Sequence, residues 1–347
     1  MKSKLILKIF LFILIITGSI CCNQNKSGIV YSEPVFPIDK KVELEMVLVD
    51  PIMPNVLLDI EFFKSKLVLM YQMDNRFVHL YDAETGEKLS SALSYGQGPG
   101  EIIGAINFWL NRDTETLSVF DIISRKFFSG NIDSLFNGIN LSLLNDDFGK
   151  AIQVFPLQQG HLTFEIPNVE NQKKRYFIKK QDGEVLEYEG YPYTDFDLIR
   201  KISLSYKMGF SKDETKMVAA TSPGLILEIF DIINGIKKTQ TRYFREILFD
   251  NDGHPSFTKS GAGITDFYCS DKYIYATFGE PEPNSNTNSR YNNIAVFDWE
   301  GNPLKIFRTN YRRLYKICLD DEERFLYILG EDEEWNRFIA KLDLTKW

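Results

Sequence analysis

One phrase recurs along this chain and restricts its fold more than any other feature. It runs strand, Asp, a short turn closed by Gly, then a second strand. The fullest copy spans residues 293–307, where Val296 and Phe297 end a strand and Asp298-Trp299-Glu300-Gly301 forms the turn. β-branched and aromatic residues suit a strand, and Gly301 supplies the positive φ that such a turn needs. The phrase returns as Leu80-Tyr81-Asp82-Ala83-Glu84-Thr85-Gly86 and as Ile229-Phe230-Asp231-Ile232-Ile233-Asn234-Gly235, with weaker copies ending in Asp121, Asp182 and Asp343. Six copies in one chain point to a repeat architecture.

The repeats divide the chain at about residues 56–91, 106–130, 151–188, 204–244, 263–308 and 313–342. Residues 131–150 are less regular and suit a short helix or an excursion loop. Taking the faint second repeat as complete, five repeats hold four strands and the last holds three. An unpaired strand meanwhile stands at residues 41–49, alternating polar and apolar with period two for most of its length. Placed beside residues 338–342 it supplies the missing strand, closes a ring and removes the exposed edges. The expected fold is all-β: a six-bladed β-propeller of four-stranded antiparallel blades, closed by the N-terminal strand. Trp347, just past the last strand, is compatible with sealing that seam.

The start of the chain has a different character. Lys2, Lys4 and Lys8 flank or interrupt an apolar run over residues 5–16, followed by Thr17-Gly18-Ser19 and then Ile20-Cys21-Cys22. A cationic start, an apolar stretch short for a bilayer, and small residues together form an export signal. The segment resembles a bacterial lipoprotein signal, which implies lipidation of Cys22, with Cys21 as the alternative. The domain expectation is a signal over 1–21, a polar tether over 22–38 carrying Pro34 and Pro37, and one propeller over 39–347. Lipid chains of that kind would anchor the protein to a bacterial membrane. Removing the signal takes three Lys, leaving 37 basic against 48 acidic residues, a charge of −11. So acidic a chain repels nucleic acid. Cys269 and Cys318 occupy matching places in successive repeats, too far apart for a disulfide, so two buried free thiols are expected.

Gly96-Gln97-Gly98-Pro99-Gly100-Glu101, after the first repeat, resembles the Gly-x-Gly-Pro-Gly-Glu loop of the TolB-like six-bladed propeller lipoproteins of Bacteroides-type bacteria. Residues 210–217 are similar to the Ser-x-Asp-Gly turn of TolB propellers, with Glu214 in place of the Gly. The resemblance covers nearly the whole chain and implies the fold, but little about activity.

Local motifs for chemistry are sparse. The Gly96–Gly100 loop lacks the Lys-Ser/Thr of a phosphate cradle and joins strands instead of opening a helix. It is expected to be an inter-blade crossing near the central channel, with Gly96, Gln97, Gly98, Gly100 and Glu101 as candidate pocket-rim residues. His79, His161 and His254 share no ligand spacing, and Gly-x-Ser-x-Gly is absent; a triad gathered from distant loops leaves no local trace. Asp250-Asn251-Asp252-Gly253 resembles the start of a Ca²⁺ loop but lacks the closing Glu, so Asp250 and Asp252 are weak metal candidates and a polar turn is the simpler reading. The repeated Asp residues read as turn locks. The functional expectation is an exported, lipid-anchored, non-enzymatic module without cofactor that binds a protein, peptide or glycan. The alternative is a propeller hydrolase or lyase with its active site at the channel mouth.

Overall fold

The structure is a computed structural model and describes residues 29–50, 57–145, 148–165, 174–190, 206–280 and 291–347. The signal segment, Cys21 and Cys22, and most of the polar insertion at 280–290 lie outside them.

Runs such as Leu67-Val68-Leu69-Met70-Tyr71 are apolar without alternation, which a strand needs when both its faces are covered. The structure gives the reason. Leu67, Leu69 and Tyr71 enter the core shared with the sixth blade, whereas Val68 and Met70 enter the core shared with the second. Six apolar clusters of this kind occur among the described residues, one at each interface between neighbouring blades.

Blade 1 comprises Leu57–Phe63, Lys66–Met73, Arg76–Asp82 and Lys88–Ser94 from the axis outward. Blade 2 comprises Ala105–Asn111, Thr116–Asp121, Lys126–Asn131 and Ser142–Asn145, with the helix Ile132–Phe136 before its outer strand. Blades 3 and 4 begin at the axis with Ala151–Leu157 and Tyr206–Phe210, and blades 5 and 6 with Ile264–Cys269 and Arg313–Leu319.

The ring closes as the strand count requires. Glu45–Asp50 pairs antiparallel with Arg337–Asp343, setting Met46 opposite Ala340 and Val49 opposite Phe338, and becomes the outer strand of blade 6. The expected single strand at 41–49 is broken in two, however. Ile38–Lys41 runs parallel to Pro303–Arg308 as a fifth strand of blade 5. Between the two pieces Val42 and Leu44 turn into the core of the blade 5–6 interface.

Within the tether expected over 22–38, residues 31–36 are docked on the propeller, and residues 22–28 lie outside the described residues. Tyr31 packs edge-on against Tyr243, Ser32 N–H donates to the Tyr243 carbonyl, and Glu33 forms two bonds of 2.6 and 2.8 Å with Arg245. Phe36 inserts between Phe278 and Phe297. Aromatic side chains in a polar-looking stretch carry this docking. Trp347 packs instead on the outer strand of blade 5, its ring 6.2 Å from that of Phe307, and not on the closing pair of strands in blade 6. Cys269 and Cys318 are buried and unbridged.

The Asp turns behave as locks. Asp298 Oδ1 accepts from the N–H groups of Glu300 and Asn302, at 3.0 and 2.8 Å, and Gly301 adopts φ +76. Asp82 and Asp231 lock the same third-to-fourth turn in their blades. Asp121 departs from that place. It sits at the second-to-third turn of blade 2, where it accepts from Ile123 and Ser124 and also from Ile103 and Gly104 of the incoming loop, at 2.9–3.2 Å. Asp121 is buried and Asp298 is not. Asp298→Ala is expected to lower the unfolding free energy by about 1 kcal/mol, and Asp121→Ala by roughly 2–4 kcal/mol. Denaturant titration of both variants checks the order; equal losses would contradict it.

Candidate functional site

The inner strands of the six blades stand side by side around an axial channel, which holds a cavity of about 510 Å³. In blades 1, 2, 3, 5 and 6 the pairing of the inner strand slips by one residue near its start, between Leu57 and Asp59, Ala105 and Asn107, Ala151 and Gln153, Ile264 and Asp266, and Leu314 and Lys316. Such bulges re-aim the side chain that follows. Here each is followed by a polar residue. With Lys207 of blade 4, which needs no bulge, they make a ring of Asp59, Asn107, Gln153, Lys207, Asp266 and Lys316 on the cavity wall.

Two positions further along, the inner strands of blades 2, 3 and 5 line the cavity with Trp109, Phe155 and Tyr268. Blade 4 presents Gly209 at that level. A Cβ there would fall 2.8 Å from Cys269 Sγ and 3.0 Å from Phe267 Cβ, so glycine lets the inner strands of blades 4 and 5 close up. Trp109 packs edge-on against Phe155 and Phe210, at 6.0 and 5.3 Å between centroids.

The charges of the ring are unevenly satisfied. Lys316 Nζ lies 2.7 Å from Asp266 Oδ1 and 3.7 Å from Asp59 Oδ1, a cation between two carboxylates. Asp266 Oδ2 also accepts from Ile317 N–H at 3.0 Å. Burial pushes the Asp59 carboxyl up to about 6, against the pull of Lys316. Glu61, one level along, is pushed up to about 7 by burial, although Arg112 Nη2 stands 3.1 Å away. Arg112 also bonds Leu319 O and Asp321, at 2.8 and 3.0 Å, tying blades 1, 2 and 6 at this mouth. Lys207 projects into the cavity; burial and the nearby Lys316 lower its pKa.

Glu61 sets an expected pH dependence. Its folded carboxyl holds the proton more tightly than the unfolded one, which titrates near 4.5. Between pH 4.5 and about 7 the folded chain thus carries the extra proton, and the Glu61 contribution to stability falls as pH rises. Glu61→Gln is expected to gain roughly 2–3 kcal/mol on the wild type between pH 4.5 and pH 8. Paired denaturant titrations at the two pH values read this; a constant difference would contradict it.

The rim residues expected from sequence lie elsewhere. Glu101 Oε2 accepts from Gly98 N–H at 2.7 Å, and a Cβ on Gly96 would meet that same oxygen at 2.1 Å, so the carboxylate fills its own loop. Gly96, Gln97, Gly98, Gly100 and Glu101 border an outer groove between blades 1 and 2 with Ser124, Lys126 and Asn140, and none of them lines the channel cavity. The expected approach to the channel is corrected accordingly, because the loop folds back on the outer strand of blade 1 before Ile102 enters the core. Asp250 Oδ1 accepts from the N–H groups of Asp252 and His254, which makes a polar turn. Among the described residues no group of three or more His, Cys, Asp or Glu is arranged to hold a metal. His79 is enclosed in blade 1 with Nε2 3.1 Å from Tyr71 O, and His161 packs on Phe127. The ring itself was missed. Aligning the repeats on their first strands would have shown one polar residue per blade.

A family model described as TolB-like 6-blade propeller-like matches residues 40–322. Among solved structures, the chain is similar to a protein described as exported from Bacteroides fragilis, with TM-score 0.55 and 11% identity over 88% of this chain and 98% of that one. It is similar to a DUF4221-family member from Bacteroides vulgatus, with TM-score 0.52 and 12% identity over 88% and 99%. A luciferin-regenerating enzyme matches with TM-score 0.52 and 10% identity over 86% and 94%. A search of curated proteins finds no match. Among the described residues no helix is long and apolar enough to cross a membrane.

Proposed function

Since the chain belongs to the TolB-like six-bladed propeller family, we propose that it is an exported, lipid-anchored, non-enzymatic binding protein of the bacterial cell envelope, with the axial channel as its ligand site. The observation that carries this reading is the ring of six polar side chains, one from each blade, beside an aromatic wall in a cavity of about 510 Å³. Convergent polar groups in an otherwise apolar concavity are the usual make-up of a small-ligand site. The basic and apolar start of the chain and the similarity to an exported Bacteroides protein support export, and Cys22 is the lipid attachment point in this reading.

A second reading rests on Asp59 and Glu61. Carboxyls whose pKa values are about 6 and about 7 suit general acid–base work near neutral pH, and one structural neighbour is an enzyme. That reading is a hydrolase or lyase acting in the channel.

One experiment separates them. The full chain is screened against envelope glycans and peptides by thermal shift, alongside Trp109→Ala, and each hit is recovered for chemical analysis. Hits that depend on Trp109 and return intact support binding; hits returned cleaved support the enzyme. Fatty-acid labelling that disappears in Cys22→Ala tests the anchor.

A further inference from the structure

We propose that an aromatic groove between blades 5 and 6 docks an extended segment of a partner protein that carries both basic and apolar side chains. The inference does not depend on what the channel holds. The net charge of the chain is concentrated at one end of the propeller. The turns between first and second strands (64–65, 112–115, 158–159, 211–215, 270–273 and 320–324) lie at that end. So do those between third and fourth strands (83–87, 132–141, 181–184, 232–236 and 298–302), with residues 344–347 beside them. Contacts from turn to turn hold them together: Lys64 meets Asp133, Arg112 meets Asp321, and Asp213 N–H donates to Asp271, each at 3.0 Å. These stretches carry 16 acidic and six basic residues, nearly all of the −11 that remains once the signal is removed. The rest of the chain is close to neutral.

The groove opens beside that charge. It holds about 920 Å³ and is walled by Ile38, Tyr273, Tyr275, Phe307 and Trp347. Ile38, Tyr273 and Trp347 keep 40%, 39% and 44% of their surface exposed, and apolar surface gathered in one concavity marks a contact site. The acidic rim is not used up within the chain. Asp321 and Glu322 are held by Arg112 and Arg324, at 3.0 and 2.8 Å, but the Glu323 side chain makes no hydrogen bond or ion pair with any described residue. Asp271 accepts only the Asp213 N–H. Lys272 is the one unpaired base on this wall among the described residues, since Lys305 donates to Trp347 O at 2.8 Å. A second copy would present the same negative end and be repelled, as would an anionic glycan or a lipid head group. A neutral glycan would use the rings and leave the charge unmatched. Lysine and arginine heads suit both the carboxylates and the faces of Tyr273 and Trp347, and apolar side chains suit the wall between them.

Three octapeptides titrated calorimetrically into the full chain at low ionic strength test this, with cellohexaose as the neutral glycan. The first carries four Lys, two Leu and two Gly; the second replaces Leu by Ser, and the third replaces Lys by Glu. The Lys/Leu peptide is expected to bind at least about tenfold more tightly than the Glu/Leu peptide and about threefold more tightly than the Lys/Ser peptide. Glu323→Gln combined with Asp271→Asn should weaken it about fivefold or more while melting like the wild type, since the new amide oxygen can still accept from Asp213 N–H. Trp347→Ala should bring Lys/Leu binding down to the Lys/Ser level. Glu84→Gln combined with Glu87→Gln, exposed acids of the same end on blade 1, should change binding by less than about twofold. Lys/Ser or Glu/Leu binding equal to Lys/Leu, or tighter binding of cellohexaose, would overturn the groove assignment. So would failure of all four probes, or an equal loss in the blade 1 variant, which would show attraction to the whole end and no groove.

Discussion

Glu228→Ala is expected to lower the unfolding free energy by about 3–5 kcal/mol. Glu228 lies on Leu225–Asp231, the third strand of blade 4, and Arg175 on Lys174–Lys180, the third strand of blade 3. Both side chains are fully buried, and Arg175 Nη1 meets Glu228 Oε2 at 2.6 Å. The guanidinium also lies 3.9 Å from the Tyr206 ring centroid and 4.5 Å from that of Tyr176. Lys238 reaches the other carboxylate oxygen at 3.4 Å. Removing the carboxylate takes the opposite charge away from a fully buried guanidinium between two blades, where water cannot take its place. The charge pair is not a source of stability in itself, because desolvation offsets most of its attraction. The double change Arg175→Leu with Glu228→Leu should therefore recover most of the loss. Urea titrations of the single and double variants test this, and a single-variant loss under about 1 kcal/mol would contradict the burial of the pair.

Deleting residues up to 50 is expected to be more damaging. The deletion strips the outer strand from blade 6 and the added strand from blade 5, and it removes Phe36, Val42 and Leu44 from their interfaces. Each large apolar side chain taken from a buried site is worth about 1.5–3 kcal/mol, so roughly 5 kcal/mol or more is lost before the pairing is counted. The backbone groups of Arg337–Asp343 that face Glu45–Asp50 would lie open as a sheet edge. The truncated chain should lose its sharp unfolding transition and associate through that edge, which circular dichroism melting and light scattering would register. An unchanged, cooperative melt would show that the ring does not need its N-terminal strands.

Much of this fold was legible because the repeat carries its own punctuation. Asp82, Asp231 and Asp298 mark turns whose locking is local, so a short stretch of sequence contains the whole interaction. The shortage in the last repeat then required residues 41–49 to close the ring. The break at Val42 and Leu44 was not legible, because it answers to the packed interface of blades 5 and 6, whose residues lie more than two hundred positions away in sequence. Asp121 misled for a related reason: its partners Ile103 and Gly104 lie 18 and 17 residues away. The channel ring was hidden more thoroughly. Asp59, Asn107, Gln153, Lys207, Asp266 and Lys316 form no motif, since successive members belong to different blades and only the circular arrangement brings them together. The Gly-Pro-Gly-Glu loop showed the converse, a compact motif whose Glu101 serves the loop itself.

The docking of residues 31–36 on blades 4 and 5 limits how the molecule can sit. With a lipid on Cys22, only a seven-residue leash reaches Ile29, and at full stretch it spans about 25 Å. Under the proposed lipid anchor, the outer edge of blades 4 and 5 would be the part moored nearest the bilayer.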